Sequence, residues 1–181
     1  MKTKELDIII CFLFIFVLLS CNNGKARQKD VNQLIITQKE INESLEEANR
    51  NLLVKEAELI NDYVKSHDLN VVQTGTGLRY QIHDQGDGIL IQEGDIVTLE
   101  YEMRLLDGEL IYSSENDGVK TFLVGRGGVE SGLEEAVLKL SENSVATLII
   151  PAHLAHGLIG DGNRVPPRAT LVYELKVVDK Q

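Results

Sequence analysis

The chain has 181 residues, two cysteines, no tryptophan and a formal net charge of −10 at pH 7. This length allows one hydrophobic core of ordinary size plus an appendage. The acidic balance disfavours nucleic acid as a partner, because its phosphates would be repelled.

The N-terminus begins with a short apolar segment. Twelve apolar residues, Ile8 to Leu19, follow Lys2 and Lys4. The run is too short to cross a bilayer core of about 30 Å as a helix. Lysines ahead of such a run are typical of a secretory signal peptide, which we predict over residues 1–20.

The next segment divides into a polar stretch and a helical leader. Residues 21–30 are polar and are predicted to form a flexible tether. Residues 31–68 are predicted to be helical, because glycine and proline are absent until Ser66 and good helix formers are frequent. Apolar residues recur at near-helical spacing: Leu34, Ile41, Leu45, Ala48, Leu52 and Leu59.

One continuous helix over this leader would reach about 50 Å, too long to bury its apolar stripe on a small domain. The leader could bend back as two helices, pack on its own domain, or pair with a second copy of the chain. Pairing, as a homodimer through residues 31–66, is the interpretation that we favour.

Residues 71–181 are predicted to form one domain rich in strands. The strongest strand signal is the alternation of Val97, Leu99, Tyr101, Met103 and Leu105 with polar residues. Asp107-Gly108 predicts a hairpin after it, and Ser113 to Gly118 is predicted to be a polar loop. Two further apolar strands are predicted over Val145 to Ile150 and Ala169 to Val178.

A single short helix interrupts these strands between Gly125 and Leu140. Its apolar stripe comprises Val129, Leu133, Ala136, Val137 and Leu140. Neither this helix nor a sheet can bury its apolar face alone, so the two must pack together. The predicted fold class is therefore α+β, a bent antiparallel sheet (a half barrel) wrapped around one short helix and preceded by the helical leader.

Other kinds of site are poorly supported. His153 and His156 lie three apart, but loop histidines are more often surface residues, so no metal is predicted. The Arg126-Gly127-Gly128 stretch lacks the lysine and hydroxyl residue of a phosphate loop. The serines lack a convincing histidine and acid pairing, which disfavours a serine hydrolase.

The region from Gly94 to Val178 resembles the FKBP-type peptidyl-prolyl cis–trans isomerases. The resemblance rests on short motifs in the family's order and spacing: Asp95–Tyr101, Leu106–Gly108, Tyr112–Ser114, Phe122–Gly125, Gly132–Ala136 and Val165–Tyr173. It implies a rotamase that assists protein folding by binding proline-containing segments in an apolar pocket, without a cofactor.

The same resemblance implies a set of site residues. The catalytic positions would be Tyr101, Tyr112 and Tyr173. The substrate would be bound by Ile111, Phe122, Val129, Glu130, Leu133, His156 and Val165. Phe122 would lie beneath the pocket, His156 at its rim, and the backbone N–H of Glu130 would hold a substrate carbonyl.

This chain departs from the family pattern inside that site. Leu133 replaces a tryptophan, Ile111 a phenylalanine and Tyr112 an aspartate, while Lys120 and His156 replace rim aromatics. The Tyr112 hydroxyl could partly replace the aspartate as a hydrogen-bond donor. Two interpretations therefore stay open, an active isomerase and a catalytically weak module that binds peptides or serves in an envelope assembly.

The end of the signal segment, Leu18-Leu19-Ser20-Cys21, resembles the lipobox of bacterial lipoproteins. That resemblance implies that Cys21 is acylated and that the protein is lipid-anchored in the bacterial cell envelope. Asn22 is not the aspartate linked to inner-membrane retention in such lipoproteins, so we expect the outer membrane, with the leaflet open. The helical leader also resembles that of envelope members of the isomerase family, several of which dimerise, and gliding-motility lipoproteins share this arrangement.

Overall fold

The computed structural model describes residues 23–181, with side chains described from Thr37 onward. The chain divides into two units, Met1–Leu52 and Leu53–Gln181. The predicted signal peptide and the acylation site at Cys21 lie outside the described residues.

The first element is one long helix, α1, over Asn23–Ser66. It confirms the helical leader as a single helix and excludes two helices folded back on each other. It also begins eight residues before Val31, so the prediction of a flexible tether is wrong from Asn23 on. This part contains Lys, Ala, Arg and Gln and only one glycine, a composition compatible with helix. Within the first unit, Ile41, Leu45 and Leu52 are exposed.

In the second unit, the last turns of α1 pack against a sheet. Ile60 is buried together with Ile149 and Val172, and Tyr63 and Val64 pack beside them. The Glu56 carboxylate accepts hydrogen bonds of 2.7 Å from the Ala152 N–H and the Thr170 hydroxyl. Packing on the chain's own domain, one of the three alternatives for the leader, is therefore seen for these turns.

Seven strands form one antiparallel sheet. They are β1 (Val72–Gln73), β2 (Arg79–Asp84), β3 (Ile96–Leu105), β4 (Leu110–Ser113), β5 (Lys120–Leu123), β6 (Val145–Ile150) and β7 (Leu171–Lys180). Their order is β1-β2-β6-β7-β3-β4, and β5 pairs with the first half of β3 beside β4. The predicted strands are confirmed, and β6, which is buried along almost its whole length as its apolar sequence predicts, lies beside β7 in the middle of the sheet.

Two short α-helices and one 3₁₀ turn, Ala152–Leu154, complete the fold of the described residues. The segment predicted as a polar loop contains α2 (Ser114–Asp117), which the Ser113 hydroxyl caps by accepting from the Asn116 N–H. The second is α3 (Ser131–Val137), the predicted central helix, whose Leu133, Ala136 and Val137 are buried in the main core. The α+β prediction is therefore confirmed.

The alternation of strand residues separates the two faces of the sheet. Leu148 and Tyr173 belong to the core under α3, whereas their neighbours Ile149 and Val172 face α1. Across the described residues 23–181, the chain contains no helix that is long and apolar enough to span a membrane.

Candidate functional site

Two tyrosines form one wall of the candidate site. Tyr101 on β3 and Tyr173 on β7 are 8% and 0% exposed, and their ring centroids lie 5.8 Å apart. The two strands are paired, with Met103 opposite Tyr173, so strand alternation places both rings on the face covered by α3.

The other predicted lining residues converge on the same core. Ile111, Phe122, Leu133 and Val165 are all buried in the cluster that contains the tyrosines, and Val129 packs against it. They come from β4, β5, α3 and the loop before β7, so only the folded chain brings them together. Leu133 is fully buried, and its role as the floor of a pocket stays a prediction.

A charged group, the carboxylate of Glu130, occupies the centre of this site. The sequence analysis predicted an apolar pocket and did not include a charge there. Glu130 stands just before α3, and its side chain is only 4% exposed. One carboxylate oxygen accepts a 2.7 Å hydrogen bond from the Tyr173 hydroxyl and lies 3.1 Å from His156 Nε2. The other oxygen lies 3.4 Å from the Lys120 ammonium. We call Lys120, Glu130, His156 and Tyr173 the ionic cluster.

The surroundings of Glu130 keep it ionised. Burial by itself would raise the pKa of the carboxyl, because the charged form loses its hydration. The positive charge of Lys120, the Tyr173 hydroxyl, the residue's own backbone N–H and His156 act in the opposite direction and hold the pKa below its usual value. Burial, the Glu130 charge and the hydrogen bond to Glu130 raise the pKa of the Tyr173 phenol, so it remains a donor.

Lys120 lies across the two aromatic rings. Its ammonium is 5.2 Å from the centroid of the Tyr101 ring and 5.4 Å from that of Tyr173, within cation–π range. It also donates a 3.1 Å hydrogen bond to the Tyr173 hydroxyl. The sequence identified Lys120 only as a replaced rim aromatic. Its position two residues before buried Phe122 on β5 was the available signal, because both side chains then share one face.

A second cluster fixes the loop between β6 and β7. The Tyr112 hydroxyl donates a 2.6 Å hydrogen bond to the Asp161 carboxylate and accepts one of 3.1 Å from Asn163. Asp161 also accepts from the Val165 N–H at 2.8 Å. The Tyr112 proton is therefore directed at this loop, whereas the prediction had it available to the substrate.

Arg164 strengthens the same loop. Its guanidinium lies 4.2 Å from the centroid of the Tyr112 ring and donates 2.9 Å to the Ile111 carbonyl. It also pairs with Asp117, and this interaction lowers the pKa of the Asp117 carboxyl. No local pattern in the sequence pointed to these pairs, since the partners lie more than forty positions apart.

The arrangement contains a hydrogen-bonded aromatic wall and an apolar floor, but no nucleophile placed beside a base. Within residues 23–181, no group of three or more histidine, cysteine, aspartate or glutamate side chains is placed to hold a metal ion.

Comparison with known proteins agrees with this geometry. Residues 88–178, about half of the chain, match the sequence model of the FKBP-type peptidyl-prolyl cis-trans isomerases. A probable FKBP-type isomerase, FkpA of Neisseria meningitidis, is 43% identical over 109 residues, which cover 60% of this chain and 39% of that protein. The outer membrane protein MIP of Legionella longbeachae is 28% identical over 160 residues, covering 81% of this chain and 68% of that protein.

A solved structure shows the same architecture. The crystal structure of AtFKBP13 superposes with a TM-score of 0.58 at 26% identity, covering 62% of this chain and 99% of that one. With half of its length matched by the family model, the chain belongs to the FKBP-type peptidyl-prolyl cis–trans isomerase family.

Proposed function

We propose that this protein catalyses cis–trans isomerisation of X–Pro peptide bonds and so assists protein folding in the bacterial cell envelope. The observation that carries the proposal is the convergence of Tyr101, Tyr173, Leu133 and Val165 from four separate segments into one core. Family membership supports it.

The reaction needs a change in amide geometry, not a change in covalent bonds. Amide resonance gives rotation a barrier of about 18–20 kcal/mol. Water stabilises the planar, polar amide, so an apolar floor such as Leu133 favours the twisted form relative to it. Binding the twisted form more tightly by about 4 kcal/mol would accelerate rotation roughly a thousandfold.

The proposal assigns each residue a part. Tyr101 and Ile111 would contact the proline ring, backed by the fully buried Tyr173, with Phe122 beneath them and Val129 and Val165 at the sides. The Glu130 N–H would hold a substrate carbonyl, in competition with the residue's own carboxylate. Tyr112 would be a positioning residue. Its hydroxyl binds Asp161 in the loop that carries Val165, so it would not bind the substrate directly.

A matched pair of valines tests the location of the site. Val165 lies in the loop before β7 and Val177 lies on β7, and both are buried. Replacing either with alanine removes the same atoms, but only Val165 lines the proposed pocket. In a protease-coupled assay on an Ala-Leu-Pro-Phe peptide, we expect the full chain to accelerate isomerisation. Val165→Ala should lower kcat/KM at least fivefold more than Val177→Ala. Equal losses would place the activity elsewhere, and an inactive wild type would overturn the proposal.

A second candidate function is peptide binding without efficient catalysis. It is favoured by the ionic cluster, since a lysine and a glutamate stand inside a site that would otherwise be apolar. Such a module could also serve in an envelope or gliding-motility assembly. Peptide binding detected by NMR titration together with an unaccelerated isomerisation rate would select it.

We further propose that the protein is a lipoprotein attached to the outer membrane through Cys21. The lipobox resemblance supports this, as does similarity to a relative named as an outer membrane protein. Cells fed a palmitate analogue should label the wild type and Cys11→Ala but not Cys21→Ala, and the label should fractionate with the outer membrane. Retained labelling of Cys21→Ala would refute the anchor.

The proposal of a homodimer through residues 31–66 is supported by the exposed apolar residues of α1. Ile41, Leu45 and Leu52 are 47%, 62% and 42% exposed, and apolar side chains at such spacing can form a helix–helix seam. Sedimentation of the full chain should give a dimer, and replacing Leu45 with lysine should give a monomer. A monomeric wild type would exclude pairing.

A further inference from the structure

The ionic cluster presents positive charge outward. Both oxygens of the Glu130 carboxylate are engaged, and the side chain is 4% exposed. The side chains of Lys120 and His156 are 23% and 30% exposed. A ligand that approaches the site therefore meets donors first and the carboxylate only below them.

Lys120 has capacity for one more partner. An ammonium carries three N–H donors, and the contacts found among the described residues direct two of them to Glu130 and Tyr173. The ammonium itself lies over the tyrosine wall that the proposed function assigns to the proline ring.

Among the described residues, Glu130 is the one carboxylate found in contact with the Lys120 ammonium, and the other nearby carboxylates are bound to other groups. Asp117 is paired with Arg164, and Asp161 accepts from the Tyr112 hydroxyl and two backbone N–H groups. Glu130 offsets the charge of Lys120, but it lies on the buried side. The protein as a whole is acidic and would repel an acidic ligand. That repulsion is spread over the surface and screened by salt, whereas Lys120 would be in direct contact with the ligand.

We propose that Lys120 is a specificity-determining residue that makes the site favour a peptide with an acidic residue next to the proline. The inference rests on the proposed function, since it takes the peptide to lie against the tyrosine wall. The carbonyl held by the Glu130 N–H would belong to a residue beside the rotating bond. Lys120 contacts Glu130, so the neighbouring carboxylate would reach its ammonium.

The test compares peptides that differ only in charge. Isomerisation is measured by NMR exchange spectroscopy, without a protease, on Ala-Glu-Pro-Phe against Ala-Gln-Pro-Phe. A second pair, Ala-Leu-Pro-Glu against Ala-Leu-Pro-Gln, places the charge after the proline. For the wild type we expect kcat/KM to be about fivefold higher for the acidic member of at least one pair, the scale of a partly exposed ion pair. The preference should shrink as salt is added.

Three variants isolate Lys120. Lys120→Met should abolish the preference, and Lys120→Arg should retain it, which a purely structural role would not require. Lys139→Met removes the same charge from a lysine over Tyr80 and should leave the preference unchanged. The inference is overturned if the wild type isomerises the two members of each pair at equal rates, or if the preference survives in Lys120→Met. Either result is compatible with isomerisation of Ala-Leu-Pro-Phe by the wild type, which tests the proposed function separately.

The proposed function can fail separately. If no peptide is isomerised, the same four peptides carrying a fluorescent label are compared by anisotropy. Fivefold tighter binding of an acidic peptide, lost in Lys120→Met, would still support the inference for a binding module. Equal affinities would refute it.

Discussion

Replacing Glu130 with glutamine tests how the ionic cluster holds the site together. The side chain keeps its size but loses its charge, so it no longer attracts Lys120. At 3.4 Å, two unit charges attract by about 5 kcal/mol at an effective dielectric constant of about 20. Lys120 keeps part of its hydration, and glutamine still accepts from Tyr173. We therefore expect the free energy of unfolding to fall by about 2–3 kcal/mol at pH 7.

The pH dependence gives this prediction a distinctive signature. The Glu130 carboxyl has a lower pKa in the folded chain than the ordinary value of about 4.3 that it has when unfolded. Its contribution is therefore present above pH ~4.3 and is lost as the pH falls through the folded pKa. The difference between the wild type and Glu130→Gln should be full at pH 7 and should shrink below pH ~4.

Urea unfolding at pH 7 and pH 3 measures this difference. Tyrosine fluorescence is a suitable probe, because all five tyrosines lie in the unit Leu53–Gln181. The pKa values of three other carboxyls are also lowered, those of Asp95, Asp117 and Asp161. Their protonation in acid destabilises the wild type and Glu130→Gln alike, so only the difference between the two proteins reports on Glu130.

The control is Glu109→Gln, an exposed glutamate in the hairpin between β3 and β4, which should change stability by less than about 0.5 kcal/mol. The reasoning is refuted if Glu130→Gln loses no more than Glu109→Gln at pH 7. A loss that is the same at pH 3 would also refute it.

Three further substitutions test the packing of the site. Leu133→Ala should lower the free energy of unfolding by about 2–5 kcal/mol in urea titrations, because the side chain is fully buried. Gly132→Ala should cost about 1–3 kcal/mol by thermal unfolding despite the better helix propensity of alanine, because its Cβ would overlap Ile150 Cγ2. Tyr112→Phe should speed hydrogen exchange of the Val165 N–H, because Asp161 loses a donor and holds the loop less firmly. If Leu133→Ala and Tyr112→Phe both leave the isomerisation rate unchanged, the site is misplaced.

The sheet and the central helix could be predicted because their burial is written in local periodicity. Val97, Leu99, Tyr101 and Met103 alternate in the sequence and are all buried on one face of β3. Leu133, Ala136 and Val137 recur at helical spacing and are buried in α3. One face of β3 and one face of α3 are buried, so apolar residues recur along each with the period of a strand or of a helix.

The interior of the site could not be predicted in the same way. Charged residues are ordinarily placed at the surface, so the sequence offered only the backbone N–H of Glu130. The buried carboxylate is tolerated because Tyr173 and Lys120 reach it from two different strands, at 43 and 10 positions from it in the sequence. The same holds for Tyr112, whose hydroxyl is directed by Asp161, 49 positions away.

The proposed binding role gives a reason for an ionic cluster at this position that stability alone does not give. Replacing a buried ion pair with apolar side chains of similar size often leaves the free energy of unfolding unchanged or raises it, because no charge then has to be desolvated. Leucine or methionine at positions 120 and 130 would pack against Leu133 and the tyrosine rings without that penalty. What they could not supply is a cation fixed over the wall where the proline would lie. Its orientation is already set by Glu130 and Tyr173 before a peptide arrives, so little ordering of Lys120 is needed on binding.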